Sequence, residues 1–457
     1  MAGKSNKKRG KSGGARGGAG RRSSGGGARR PAPARDPFAL NGLVRAVFRD
    51  ARELLTVDDP LEAEDWASGV LGMTYKAPLP PEVAEKYERA VGPAIVSAAE
   101  RRRDATGLVV LCALAAVTGD EIGAREAAAR MAAHGVPRPR WADAAGRPEF
   151  LGGYSATDPF GDQISYHLLF QYEGFSPHMI MALYDENLGG IIKDAFVGAV
   201  QDDTDVRAMI EAGPDLIVSD VVAAEAAAHI IEALATGDLY IDNDWTEDFR
   251  HTRLLLLSRV RLLAGAGQAA PAPEPPEPEE PLDDATREAL VEEFFASPLG
   301  AAFASLRGPA RDDVLTIVDQ CLTARCDFGD GDPLRWSPIV VELFLLDYLP
   351  RKVDLSQAKI DALPAVLTAW VRFALAKRGL AEELIGEATD AVSELTDEFR
   401  EAMGDGANYG PAKAIIRALQ ADGVDLTDQT AVDAWFADFN ARPDEERYEI
   451  LGPPPDA

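Results

Sequence analysis

The sequence predicts a mainly α protein: an α+β amino-terminal domain that carries a small three-stranded antiparallel meander, followed by an all-α carboxy-terminal helical domain. Three observations predict it. Apolar residues recur at helical spacing over most of the chain. Strict two-residue alternation occurs in one stretch, Gln163–Gly198 (QISYHLLFQYEGFSPHMIMALYDENLGGIIKDAFVG). A Pro/Glu-rich segment, residues 266–283, separates the two halves as a linker.

Residues 1–35 are Gly, Ser, Lys and Arg with almost nothing apolar, a composition that predicts disorder. Phe38 to Leu55 reads as an amphipathic helix, and Asp58-Asp59-Pro60 as the cap and first turn of a short helix to Leu71. A longer helix follows Pro80-Pro81, from Glu82 to Arg103. The run Leu108–Val117 is apolar all round and so belongs inside the core. Glu121–His134 is a further helix. Residues 137–162, rich in Pro, Gly and Arg, read as a long loop.

In the alternating stretch, Ile164–Tyr172, His178–Tyr184 and Ile191–Val197 read as the three strands. Glu173–Pro177 and Asp185–Gly190 supply turn chemistry between them. Pairing Tyr172 with His178 would place His167 opposite Leu183. Helices are expected at 203–211, 215–235 and 246–263. The second half reads as helices at 284–295, 298–306, 312–324, 337–349, 357–377, 381–403, 411–421 and 428–439, with Pro364 kinking or splitting one of them. The expected organisation is thus a basic tail (1–35), an α+β domain (36–265), the linker (266–283), an all-α domain (284–442) and a loose end (443–457).

Charge is divided sharply. Of 47 Lys and Arg, 11 lie in residues 1–35, which hold no acid; the other 36 face 75 Asp and Glu. So acidic a body repels nucleic acid and anionic membranes, while the tail attracts them. Three cysteines, Cys112, Cys321 and Cys326, form no disulfide framework and fit a reducing compartment. The longest apolar run falls far short of the ~20 residues a bilayer requires. The basic amino terminus has no apolar segment behind it to make a secretory signal. These features point to a cytoplasmic protein without membrane contact.

Two segments resemble stretches of an uncharacterised actinobacterial protein family: DDPLEAEDWASGVLG (Asp58–Gly72), and LRWSPIVVELFLLDYLPRKV (Leu334–Val353) with LPAVLTAWVRFALAKRG after it. The resemblance implies no activity and assigns no functional residue.

Chemistry is sparse in this sequence. His167 and His178 both fall in the meander, but the expected pairing sets them about five residues apart along the sheet, too far to share one metal ion. Asp194 shares a strand face with Ile192 and Phe196. Either it is an edge charge that blocks aggregation, or it is a site carboxylate working with Asp185. Candidate ligand contacts are therefore His167, His178, Asp185 and Asp194. Asp185-x-Asn187-x-Gly189 lacks the closing Glu of a calcium loop, since Phe196 stands there. Gly153–Thr157 misses the last glycine of a nucleophile elbow, and Asp327-Phe328-Gly329 lacks the other kinase motifs. Cys321 and Cys326 lack partners for a zinc site. No catalytic residue, metal site or cofactor is expected. Trp336 and Trp370 read as core residues, and the acidic face of Glu387–Glu401 as solvated.

The leading expectation is a non-enzymatic interaction or regulatory protein with a protein partner the sequence does not identify. The second is a nucleic-acid-associated protein that binds through the tail, with Lys7, Lys8, Arg9, Arg21, Arg22, Arg29 and Arg30 as contacts. The third is a hydrolase or transferase with a site between the meander and the 137–162 loop.

Overall fold

A computed structural model describes residues 40–77, 79–201, 204–213, 215–240, 245–265 and 282–451. The basic tail, with Lys7, Lys8, Arg9, Arg21, Arg22, Arg29 and Arg30, lies outside these residues, as does nearly all of the linker. The chain is mainly α-helical with one antiparallel sheet.

Helices α1 (Leu40–Asp50), α2 (Pro60–Gly72), α3 (Pro81–Arg102), α4 (Ala105–Thr118) and α5 (Ala124–Ala133) come first. Asp59 caps α2 by accepting from the Leu61 amide at 2.9 Å, with Pro60 in the first turn. From Thr106 to Thr118 every residue of α4 is buried, as an all-apolar helix requires.

The sheet has five strands rather than the expected three: β1 (Glu149–Thr157), β2 (Gln163–Gln171), β3 (His178–Asp185), β4 (Ile191–Ala199) and β5 (Ile217–Asp220), in the order β4-β3-β2-β1-β5. The meander β2-β3-β4 forms, and β1 and β5 extend it. Strand β1 lies in the segment expected to be a loop. Its Gly152-Gly153 pair erases the side-chain alternation there, and Gly152, at φ 135°, takes a backbone only glycine tolerates, where the β1–β2 register shifts. Strand β5 replaces the start of the helix expected from Asp215.

The β2–β3 register also differs from expectation. Phe170, not Tyr172, pairs with His178, and His167 faces Met181. Tyr172 leaves the ladder: its carbonyl accepts from Phe175 N in the turn, and its side chain reaches inward to Glu64. The slip is two residues, so each side chain keeps its expected face.

One sheet face, through Tyr166, Leu168 and Phe170, joins the apolar core built on α4. The other face carries a small cluster in which Ala156 packs with Val206 and Ile210 of α6 (Val206–Glu211). Helices α7 (Ala223–Leu239) and α8 (Glu247–Leu263) pack on β4, and α8 lies close along α2. That contact is tight because Gly69 and Gly72 face it; a Cβ on Gly72 would strike the Arg250 carbonyl.

The second half is helical: α9 (Asp284–Ala296), α10 (Ala301–Ala304), α11 (Pro309–Cys326), α12 (Pro338–Glu342), α13 (Leu349–Lys352), α14 (Gln357–Arg378), α15 (Glu382–Gly404), α16 (Pro411–Ala421), α17 (Gln429–Ala441) and α18 (Asp444–Leu451). Helix α18 extends the ordered chain past the expected boundary at 442. A π-helical turn, Leu343–Tyr348, joins α12 to α13; in it the Leu349 amide reaches back to the Phe344 carbonyl, just ahead of Pro350. Helix α14 runs through Pro364 unsplit. Trp336 and Trp370 are fully buried in the second apolar cluster, which the helices from α9 to α15 enclose. Phe160, from the β1–β2 turn, belongs to that second cluster too. No helix among the described residues is long and apolar enough to cross a membrane.

Candidate functional site

The four candidate residues of the sheet do not converge. His178 lies on the helix-facing side, stacked between the rings of Phe170 (centroids 5.9 Å apart) and Tyr172 (5.8 Å). Burial, helped by the neighbouring Arg259 charge, pushes its pKa down to about 3, so the ring is neutral. His167 projects from the opposite face, where burial also lowers its pKa.

Asp185 is buried and fully engaged. It binds Lys193 Nζ and Gln163 Nε2, both at 2.7 Å, and accepts from the Asn187 amide at 3.0 Å. These bonds close the β3–β4 turn. Asp194 accepts from the Thr246 hydroxyl at 2.8 Å, and Thr246 in turn caps α8. The puzzle of its strand face is resolved by a bulge. The β3–β4 register shifts between Leu183 and Tyr184, so Lys193 has no ladder partner, and both Ile191 and Ile192 are buried in the core. Asp185 and Asp194 thus serve as structural anchors at separate places.

Four polar features had no clear sequence signal. The first is a buried cluster in which Glu64 accepts from Arg259, from the Gly146 amide and from Tyr172 Oη (2.6 Å for the last). Glu64 and Arg259 are both completely excluded from solvent, and burial raises the Tyr172 pKa, keeping its phenol protonated. The second is Ser165, 3.1 Å from His167 Nε2. His167 Nδ1 is buried without a partner, so no carboxylate orients the ring as a nucleophile's base requires. The third is Tyr166 Oη, 2.6 Å from His229 Nδ1, with the Tyr184 ring 4.4 Å from that imidazole and the Tyr184 hydroxyl on Glu186. The fourth joins the sheet to the second half. Arg335 binds Asp162 and Asp330, donates to Asn187 Oδ1 at 2.9 Å, and shares Asp330 with Arg325. Asp162 and Asn187 sit in the two turns at one end of the sheet, so one buried guanidinium grips both. Such a residue looks like any surface arginine in sequence, because its two partners on the sheet, Asp162 and Asn187, lie more than a hundred positions away.

The sheet's other notable surface is its β5 edge. Met209, Leu216, Ile217 and Val222 are 53, 39, 59 and 58% exposed. Strand β5 ends the sheet, while the opposite edge, β4, is packed by α7 and α8. Among the described residues no three His, Cys, Asp or Glu side chains assemble as a metal site. No family model, curated protein or solved structure matches the chain.

Proposed function

We propose that the chain is a non-enzymatic interaction protein that docks a protein partner along the β5 edge of its sheet. What carries this reading is the exposed apolar side chains beside a sheet edge. An unpaired edge offers backbone donors and acceptors to an extended peptide, and flanking apolar residues add buried area. The reading is supported from the other side by the sheet's candidate residues: Asp185 and Asp194 are held in structural bonds, His178 is stacked on two rings, and His167 meets Ser165 without an orienting acid. On this reading 36–265 and 284–442 are separate cytoplasmic domains on the 266–283 linker, docked through Arg335.

The test uses full-length protein as bait, with and without nuclease, beside an Ile217→Lys/Val222→Lys variant. The expected result is a stoichiometric partner that survives nuclease and is lost from the variant. Retention of the same partner by the variant would overturn the role of β5. The Ser165–His167 pair is the observation that favours a hydrolase or transferase reading; on the interaction reading Ser165→Ala leaves partner binding unchanged and costs about 1–3 kcal/mol of stability, because buried His167 loses its one partner.

A further inference from the structure

We infer that the concavity between α1 and the carboxy-terminal end of α3 is a docking surface for the phosphodiester backbone of a nucleic acid, read without regard to sequence. It goes beyond the β5 edge and stands independently of it. The cavity encloses about 250 Å³. Arg45, Arg49, Arg52 and Arg102 line it, over Phe48 and Ala98, and no acid is among its lining residues. In a chain with 75 acids against 47 bases, that local inversion of charge is conspicuous.

The arginines are available. Arg45, Arg49 and Arg52 are exposed, and among the described residues no carboxylate lies within 4.0 Å of their nitrogens. Two acids adjoin them in sequence: Asp50 is turned to Trp66 Nε1 at 2.6 Å, and Glu53 is exposed and in no ion pair with them. Arg102 is held in place, 2.9 Å from Asp104 and 5.0 Å above the Phe48 ring. Arg101 and Arg103 extend the same end of α3, both exposed. Another concavity, between α4 and α5, differs, because its Asp143 already pairs with Arg138 at 3.1 Å.

Spacing argues for a polymer. Arg45 and Arg49 lie one turn apart on α1, and Arg52 follows just past its end; seven residues at helical rise span about 10 Å of backbone. A single anion would need them to converge, whereas strand phosphates recur at about 3.4 Å along a duplex axis, so the row spans several. The planar guanidinium fork suits phosphate oxygens better than lysine would. Sequence order adds weight: the 11 basic residues of positions 1–35 precede α1 by only four residues in the chain. A membrane surface is the less suitable partner, since the apolar side of α1, Val47 and Phe48, is buried and leaves nothing to insert.

The test measures anisotropy of a short labelled oligonucleotide, single-stranded and duplex, with full-length protein across a salt series. Circular dichroism of each variant monitors folding. Arg45→Gln/Arg49→Gln/Arg52→Gln, with the tail intact, is expected to weaken low-salt binding about tenfold or more and to reduce the slope of log K against log salt by about 2 to 3. The matching triple Lys variant is expected to keep most of the slope. Wild-type affinity and slope in the Gln variant would assign binding to the tail alone and overturn the proposal. So would an absence of nucleic-acid binding by wild-type protein, or a loss by the Gln variant confined to phosphatidylserine vesicles.

Discussion

His178 carries a pH dependence that can be read from its surroundings. Its folded pKa, about 3, lies below the ordinary value of 6.5. As pH falls through 6.5 the unfolded chain takes up a proton that the folded chain refuses. Stability is therefore full above pH 6.5 and is lost on acidification toward pH 3, at about 1.4 kcal/mol per unit. By pH 5 this one ring costs about 2 kcal/mol. Burial lowers His167 and His229 in the same sense. His251 works oppositely: its bond to Asp65 raises its pKa, so its contribution is present at low pH and fades as pH rises, and partial exposure keeps it small. His178→Phe, which keeps the stack and removes the buried unpartnered Nε2, should flatten the acid limb of a denaturant-midpoint series; an unchanged slope would place the protonation elsewhere. Glu64 offers a second test at this scale. Glu64→Gln leaves the Arg259 charge buried without its counterion and should cost about 3–5 kcal/mol, while Glu64→Leu/Arg259→Met should recover much of that loss.

At the scale of elements, legibility followed side-chain pattern. Helix α4 announces itself as an unbroken apolar run, and strand β2 by its two-residue alternation, with β3 and β4 following across turn residues. Strand β1 does not, since Gly152 and Gly153 supply no side chain to count, and the Cβ that would reveal Gly153 has no room: it would lie 2.7 Å from the His167 carbonyl. Gly153→Val should therefore disrupt β1–β2 pairing and cost more than Phe170→Ala, itself expected at about 3–5 kcal/mol for a fully buried ring. Urea midpoints of the two variants decide the order. Strand β5 has four residues, too few for a period, and abuts α7. Arg45 and Arg49 of α1, with Arg52 just after it, were equally hard to see, because beside the apolar stripe the opposite stripe looks like ordinary solvated surface. Their signal was present: positions 45, 49 and 52 repeat every three or four residues, with the acids Asp50 and Glu53 beside them in sequence. Among the candidate contacts, the sequence separated His167 from His178 along the sheet through the expected pairing, but it could not show that Asp185 and Asp194 are engaged in turn and cap bonds, which depend on Lys193 and Thr246 being brought near.

At the scale of the molecule, two large apolar clusters meet through a polar clasp. Phe160 crosses into the second cluster, and Arg335 holds Asp162 and Asn187 from the sheet's turns. Burial raises the pKa of Asp162 even beside that cation, a mark of how far the clasp is withdrawn from water. Proteolysis within residues 266–281 should therefore give two fragments that co-elute on gel filtration. In Arg335→Met, which leaves Asp162 and Asp330 without this partner, the nicked fragments should separate. Separation of the wild-type fragments would show that the clasp is too weak to hold the halves.

The Glu64–Arg259 pair also has a consequence during translation. Glu64 leaves the ribosome 195 positions before its counterion, about 10 to 40 s earlier at ordinary rates of synthesis. Until α8 emerges, α2 can neither close on its partner helix nor surrender that carboxylate to the interior. The nascent amino-terminal half is therefore expected to bury that carboxylate only after α8 has been made, and to leave part of its future core open to chaperones until then.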